Sequence, residues 1–349
     1  MSVTHFTAKE ICDLEVKSTT PRFLHSPFGT VAILALAFQW PSSAWYFQVG
    51  WTLIAAYSMF CWSSCFHETS HQGICGKCWV SIWLGRAIGT MLFVSYTAYR
   101  ESHIRHHAYL NKPGDWELWP YSDPKTSLTF RRIFCWLELP FGFLTSPFVY
   151  SRMCFSKNTP VKNPEVMKAM RIEYAVMAIV WASILGTVAW FSLWKPFIVA
   201  WVIPHWVASV IQTFRKYTEH LGMQSYDPLL GTRTVIGTSF ITRLCTYINF
   251  DIFVHGPHHR HPKIAHNKLV AKMDTYQEDN PETQYPVFTT YMSAIRHTIP
   301  ALWNPGVGMN VGAPAPKKEK WLGADNFVTD VAREILADRD IAKPHRPSH

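Results

Sequence analysis

Seventeen histidines stand among 349 residues, and most of them are clustered. His67 and His71 lie in "HETSH", His103, His106 and His107 in "HIRHH", and His255, His258 and His259 in "HGPHH". On a helix, positions i and i+4, or i, i+3 and i+4, project from one face. Each cluster therefore aims its imidazoles at one point. Taken alone, His67-Glu68-x-x-His71 spells the HExxH pattern of zinc proteases, in which Glu68 would be the general base. The other two clusters argue for more. A four-coordinate zinc takes three or four ligands, whereas eight imidazoles suit two ions of higher coordination number. Imidazole serves iron, copper, nickel and zinc alike, so the donors do not select the metal. Without a metal, packed neutral rings would each need a separate partner and charged rings would repel.

The elements that must position these rings read as membrane helices. The chain is 48% hydrophobic and 16% charged, against roughly 25% charged in soluble domains. From Pro27 to Phe66 there is no Asp, Glu, Lys, Arg or His. As a helix that stretch would run about 60 Å, two crossings of an apolar layer about 30 Å thick. Pro41-Ser42-Ser43 supplies a turn, so the sequence predicts a hairpin of Pro27 to Trp40 and Ala44 to Phe66. A second hairpin joins Tyr174 to Trp194 with Phe197 to Phe214, punctuated by Lys195-Pro196. Trp79 to Tyr96 carries Arg86, and Ile133 to Tyr150 carries Glu138, Pro140 and Pro147. These two read as interfacial or re-entrant helices, with an amphipathic soluble helix as the alternative.

The expected fold is an all-α membrane protein: two transmembrane hairpins (four spans) and a cytoplasmic helical cap carrying the histidine boxes. Residues 1–26 form an N-terminal tail and 27–299 the membrane domain. Residues 300–349 hold a Pro/Gly-rich linker or surface-hugging loop and a short helix over "ADNFVTDVAREILADRD". Thirteen Lys and Arg lie from Gln72 to Arg171 and sixteen after Gln212, but only Lys195 lies in the turns on the other side. The positive-inside rule then puts the site and both termini in the cytoplasm. The formal charge of +9 follows from that topology and from anionic headgroups, without nucleic acid. No cleavable signal is expected, since the apolar run starts only at residue 27. Cys75 and Cys78 form a CxxC with no second pair and read as ordinary thiols.

With "HETSH", "HIRHH" and "HGPHH" in that order beside two hairpins, the chain resembles the integral-membrane fatty acid desaturase and hydroxylase superfamily over roughly residues 30 to 275. "HIRHHAYLNKPGDWE", "TEHLGMQSYDPLLGTRTV" and "HGPHHRHPKIAHNKL" carry the likeness further. It implies a non-haem di-iron site that activates O2, with ligands at His67, His71, His103, His106, His107, His255, His258 and His259. Family members often have a ninth histidine before the third box, in alkane monooxygenases within Asn-Tyr-x-Glu-His-Tyr-Gly. Here "KYTEHLG" matches Tyr217, Glu219, His220 and Gly222 but has Lys216 for the Asn and Leu221 for the second Tyr. His220 is therefore the ninth candidate and His205 a weaker competitor. His261 and His266 are expected to shape their loop or contact headgroups.

Glu68, Glu101, Glu219 and Asp251 are the carboxylates expected to take the imidazoles' outer N–H groups, by proximity in sequence. The implied reaction is O2-dependent introduction of a double bond into an acyl chain carried on lipid, coenzyme A or acyl-carrier protein. A hydroxylase, alkane monooxygenase or carotenoid ketolase is the alternative. An intramembrane zinc protease or a metal-transport protein is more remote, since either leaves two boxes or the apolar spans unexplained. No haem-binding His-Pro-Gly-Gly, ferredoxin cysteine pattern or GxGxxG is present. Electrons are expected from a separate ferredoxin, cytochrome or reductase; Arg131, Arg132, Arg152 and Lys157 are candidates to dock an acidic carrier or an acyl-CoA, acyl-carrier-protein or phospholipid headgroup, with a plain positive-inside surface as the alternative.

Overall fold

A computed structural model describes residues 20–316, apart from 40–42, 72, 75–77 and 263. The Pro41-Ser42 turn, Cys75 and the C-terminal helix lie outside the described residues. The fold is helical, with one two-residue parallel pair, β1 (Thr234–Val235) and β2 (Val287–Phe288). Helices α1 (His25–Gln39), α2 (Trp45–Ser70), α3 (Cys78–Met91) and α4 (Tyr96–Ala108) come first. They are followed by α5 (Leu128–Phe155), α6 (Pro164–Trp190) and α7, which runs from Trp194 to His220. After these come α8 (Phe240–Ile248), α9 (His255–Arg260), α10 (Leu269–Asp279) and α11 (Tyr291–Thr298).

Among the described residues four helices are long and apolar enough to cross a membrane: α2, α5, α6 and α7. The number matches the sequence reading, but the membership differs. The first arm of the first hairpin, α1, has only 15 residues, about 22 Å of helix against a core of about 30 Å. Helix α5 has 28 residues and takes its place on the list, although its sequence read as interfacial or re-entrant. Glu138, which interrupted its apolar run, is wholly buried. Tyr121 and Tyr217 each donate a hydroxyl to it at 2.8 Å, and the Lys216 ammonium donates to its other oxygen. A carboxylate so paired can lie inside a bundle. Pro140 accounts for the kink at Phe141, because proline removes a helical N–H and its ring clashes with the preceding turn.

Close approach of backbones sets the bundle. A Cβ on Gly29 would fall 2.2 Å from Ser58 Oγ, and one on Gly142 would fall 2.3 Å from Thr213 Oγ1. Small residues at these points let α1 lie against α2 and α5 against α7. Helix α7 contains a π turn over Ile198–Val202, where Ile203 N–H donates to Ile198 O. The next residue is Pro204, which has no N–H to give; the wider turn lets the helix continue past it.

The box helix α4 is anchored at its start. Ser95 caps it by accepting from Ala98 N. Glu173 of α6 then accepts from Ser95 Oγ at 2.6 Å, Thr97 N at 2.8 Å, Thr97 Oγ1 at 2.7 Å and Arg86 Nε at 3.0 Å. A carboxylate suits a helix N-terminus because it meets unpaired N–H groups and the positive end of the dipole. At the far end of the chain, residues 300–316 lie against the body. Arg131 donates to Pro305 O, Val307 N to Tyr121 O and Gly308 N to Met223 O. Residues 305–308 thus hydrogen-bond to the body of the bundle.

Glu173→Ala should strand Ser95 and Thr97 and cost about 3 kcal/mol. Thermal unfolding in detergent should fall by roughly 5–10 °C, and an unchanged midpoint would count against Glu173 as the anchor of α4.

Candidate metal centre

Helices α2 and α7 both end at the histidines. His67 and His71 occupy the end of α2, His220 the end of α7, and α4 and α9 carry the second and third boxes. All nine side chains are buried, none more than 4% exposed. The structure brings them into two groups. His67, His71, His103, His107 and His258 offer donor atoms that all lie within 4.8 Å of one another. His106, His220 and His259 form a second such set, and His255 joins it through His220 and Glu219. The groups touch where the His107 and His259 rings stack at 4.2 Å. His205 stands apart, stacked on Trp201; His220 is the ninth histidine of the cluster.

The nitrogens within each group are close. His71 Nε2 and His103 Nε2 are 2.9 Å apart, and His103 Nε2 and His107 Nε2 are 3.0 Å apart. His255 Nε2 lies 2.8 Å from His220 Nε2 and 3.0 Å from His259 Nε2. Several ring nitrogens, including His67 Nε2 and His258 Nε2, are buried without a hydrogen-bond partner among the described residues. Buried polar atoms are seldom left so. Orphaned nitrogens converging on one volume are the chemistry of a cation site, and these residues fit one.

Outer partners fix which nitrogen faces inward. His103 Nδ1 lies 2.9 Å from Glu117 Oε2, and His106 Nδ1 lies 2.8 Å from Asp115 Oδ2. His255 Nδ1 lies 3.1 Å from Ile252 O. Each such acceptor takes an N–H from Nδ1 and leaves Nε2 with a lone pair directed into the group. Burial lowers the pKa of His103 to about 4 in spite of Glu117. Burial also holds His107, His255, His258 and His259 well below the usual histidine range. Neutral imidazole is the form that binds metal. Glu117 is pushed up by burial but held down more strongly by His103 and its hydrogen bond, to about 2. His106 departs from the rest: burial opposes its charge, but Asp115 outweighs burial and shifts it upward.

The four carboxylates expected from sequence meet different fates. Glu68 lies between His67 Nδ1 at 3.3 Å and His266 Nδ1 at 3.7 Å. Glu219 Oε2 is 3.7 Å from His255 Nε2. Glu101 instead pairs with Arg105 one turn along α4, and Asp251 with Arg22 at 2.9 Å. On α4 and in the loop before α9 these carboxylates thus pair with a nearby guanidinium, Arg105 or the buried Arg22. The supports missed were Asp115 and Glu117. Their signal was present in "NKPGDWE", where Pro113-Gly114 turns the chain back under α4. His261 bonds the Tyr276 hydroxyl, in keeping with its expected role in the loop. Arg131 and Arg132 donate to the carbonyls of Pro305 and Trp303. Arg152 lies 3.9 Å over the Trp119 ring. Arg131, Arg132 and Arg152 thus each have a partner within the chain.

A cavity opens onto the imidazoles. Its walls come from α2 (Met59, Phe60, Phe66), α5 (Gly142, Phe143, Val149) and α7 (Ala208, Gln212, Thr213), and His67, His103, His106, His220 and His255 line it together with the charged Glu117, Glu138, Arg215, Lys216 and Glu219. More of its exposed lining is apolar than polar, the character of pockets that take apolar molecules. A membrane-embedded helical bundle with a buried polyhistidine centre lining a mostly apolar cavity is the class this chain represents. The fatty acid desaturase family model matches residues 43–291, and the chain belongs to that family. It is 24% identical over 235 residues to a chloroplastic omega-6 fatty acid desaturase of Glycine max, covering 61% of this chain and 52% of the relative. The chain thus spans about half the length of that relative.

Asp115→Asn and Glu117→Gln should each weaken metal retention by about 10- to 100-fold, measured by chelator competition on purified protein. Glu101→Gln, whose carboxylate faces Arg105, should retain metal as the wild type does.

Proposed function

We propose that the chain is an O2-dependent fatty acid desaturase that uses two iron ions held by His67, His71, His103, His107 and His258 on one side and His106, His220, His255 and His259 on the other. The observation that carries this reading is the mostly apolar cavity lined by five of those imidazoles. Family membership supports the reaction class, and the name of the soybean relative supports an acyl chain as substrate. The number of buried imidazoles, nine for two ions, supports coordination beyond four. A single protease-type zinc would leave most of the buried rings without a role.

Two iron ions bound there would supply the activation of O2. Overall, a –CH2–CH2– unit, O2, two electrons and two protons give a double bond and two waters. The chain's own part is positional. Met59, Phe60, Phe143 and Val149 hold an acyl chain and keep bulk water from it, and the orientation they impose decides which carbons reach the imidazole end. Glu117, Asp115 and Ile252 O hold His103, His106 and His255 in the tautomer whose Nε2 faces inward. We further assign the site to the cytoplasmic side, from the distribution of Lys and Arg, and the electrons to a separate carrier protein.

Purified protein should contain two irons per chain, and His106→Ala should lose iron and lipid oxidation together. Lipid mass spectrometry after feeding should show products lighter by two hydrogens. A product heavier by one oxygen would instead assign the hydroxylase or monooxygenase branch, and one zinc per chain would overturn the reading. Ala208→Phe narrows the cavity beside α7 and should lower turnover of long acyl chains about tenfold relative to short ones, read from competing substrates in one assay.

A further inference from the structure

Glu219 and Arg215 sit one turn apart on α7, 4% and 9% exposed. Both line the main cavity and a second, nearly apolar one of about 690 Å³ on the other face of the helix. Their charges do not close on each other. Arg215 Nη1 is 3.6 Å from Glu219 Oε1, where a direct guanidinium–carboxylate hydrogen bond would measure about 2.7–2.9 Å. Glu219 Oε1 has no hydrogen-bond partner among the described residues, and neither do Nε and Nη1 of Arg215.

The other oxygen, Oε2, lies 3.7 Å from His255 Nε2. Ile252 O, next to His255 Nδ1 at 3.1 Å, can only accept, so Nδ1 carries the proton and Nε2 a lone pair. A carboxylate oxygen and a lone pair facing each other repel unless a proton or a metal cation lies between them. Two donors bound to one ion at about 2.1 Å are spaced roughly 3.0–4.2 Å apart, and 3.7 Å falls in that span. Glu219, His220 and His255 offer donor atoms that all lie within 4.8 Å of one another.

We propose that Glu219 is a tenth donor, an anionic oxygen on the ion held by His106, His220, His255 and His259, with Arg215 aiming its carboxylate. The inference rests on the metal-centre reading above. It makes the two halves of the centre chemically different: five neutral nitrogens on one side, four nitrogens and a harder carboxylate oxygen on the other.

The test is metal binding by the full chain in detergent, stripped and reloaded anaerobically with Fe2+ or Co2+. The wild type should take two ions. Glu219→Gln, isosteric but uncharged, should keep one at wild-type affinity and bind the other about 100-fold more weakly. The visible Co2+ absorption of the weakened ion should intensify as its coordination number falls. Arg215→Met should weaken the same ion to a lesser degree. Two ions at wild-type affinity in Glu219→Gln, with an unchanged Co2+ spectrum, would overturn the proposal and leave the metal centre standing. Loss of both ions would assign Glu219 to folding and overturn it too. A wild-type chain that takes no ion overturns the metal-centre reading and this proposal with it.

Discussion

Nine imidazoles packed out of contact with water impose a constraint on everything around them. A neutral ring has one nitrogen that donates and one that accepts. If the accepting nitrogens converge, the donating ones must point outward and find acceptors there, since buried polar groups are costly when unpaired. The carboxylates of Glu117 and Asp115 and the carbonyl of Ile252 are such acceptors, each beside an Nδ1. Those acceptors must in turn be held. Tyr150 donates to the second oxygen of Glu117, and Leu118 N donates to Asp115. The arrangement thus extends from the converging nitrogens through two layers of hydrogen bonds to the helices.

The membrane helices answer to the same constraint. Both α2 and α7 stop where their histidines reach the cluster, and α4 is fixed at its start by Glu173 from α6. Helix α5 contributes no histidine. It supplies one wall of the cavity and, through Glu138, a buried polar junction with Tyr121, Tyr217 and Lys216. Lys216 stands where the alkane monooxygenase pattern has Asn, and its ammonium is what neutralises Glu138. That departure from the pattern therefore goes with a compensating partner on a neighbouring helix.

Much of this was legible in the sequence, for identifiable reasons. Helical spacing makes HxxxH and HxxHH converge whatever the tertiary structure, so the eight box histidines could be named from residue order alone. His220 was legible through its position at the end of an apolar run and the Tyr-x-Glu-His pattern around it. The carboxylate supports were less so. Proximity in sequence selected Glu101 and Asp251, but a side chain's partner is set by which way the backbone turns, and both have arginines closer at hand. The role of α5 was hidden because Glu138 looked like an interruption of an apolar helix; only its three partners, from the loop before α5 and from α7, make it compatible with burial.

The Asp115 and Glu117 supports lie 9 and 14 residues from the rings they hold. The first donor group draws four of its five members from residues 67 to 107 and only His258 from beyond, whereas the second has three of its four members between residues 220 and 259. Four members of the first group and the loop that supports them thus precede both α7 and α9 in the chain. The two groups are therefore drawn largely from different halves of the chain, and the stacked His107 and His259 rings mark the seam between them.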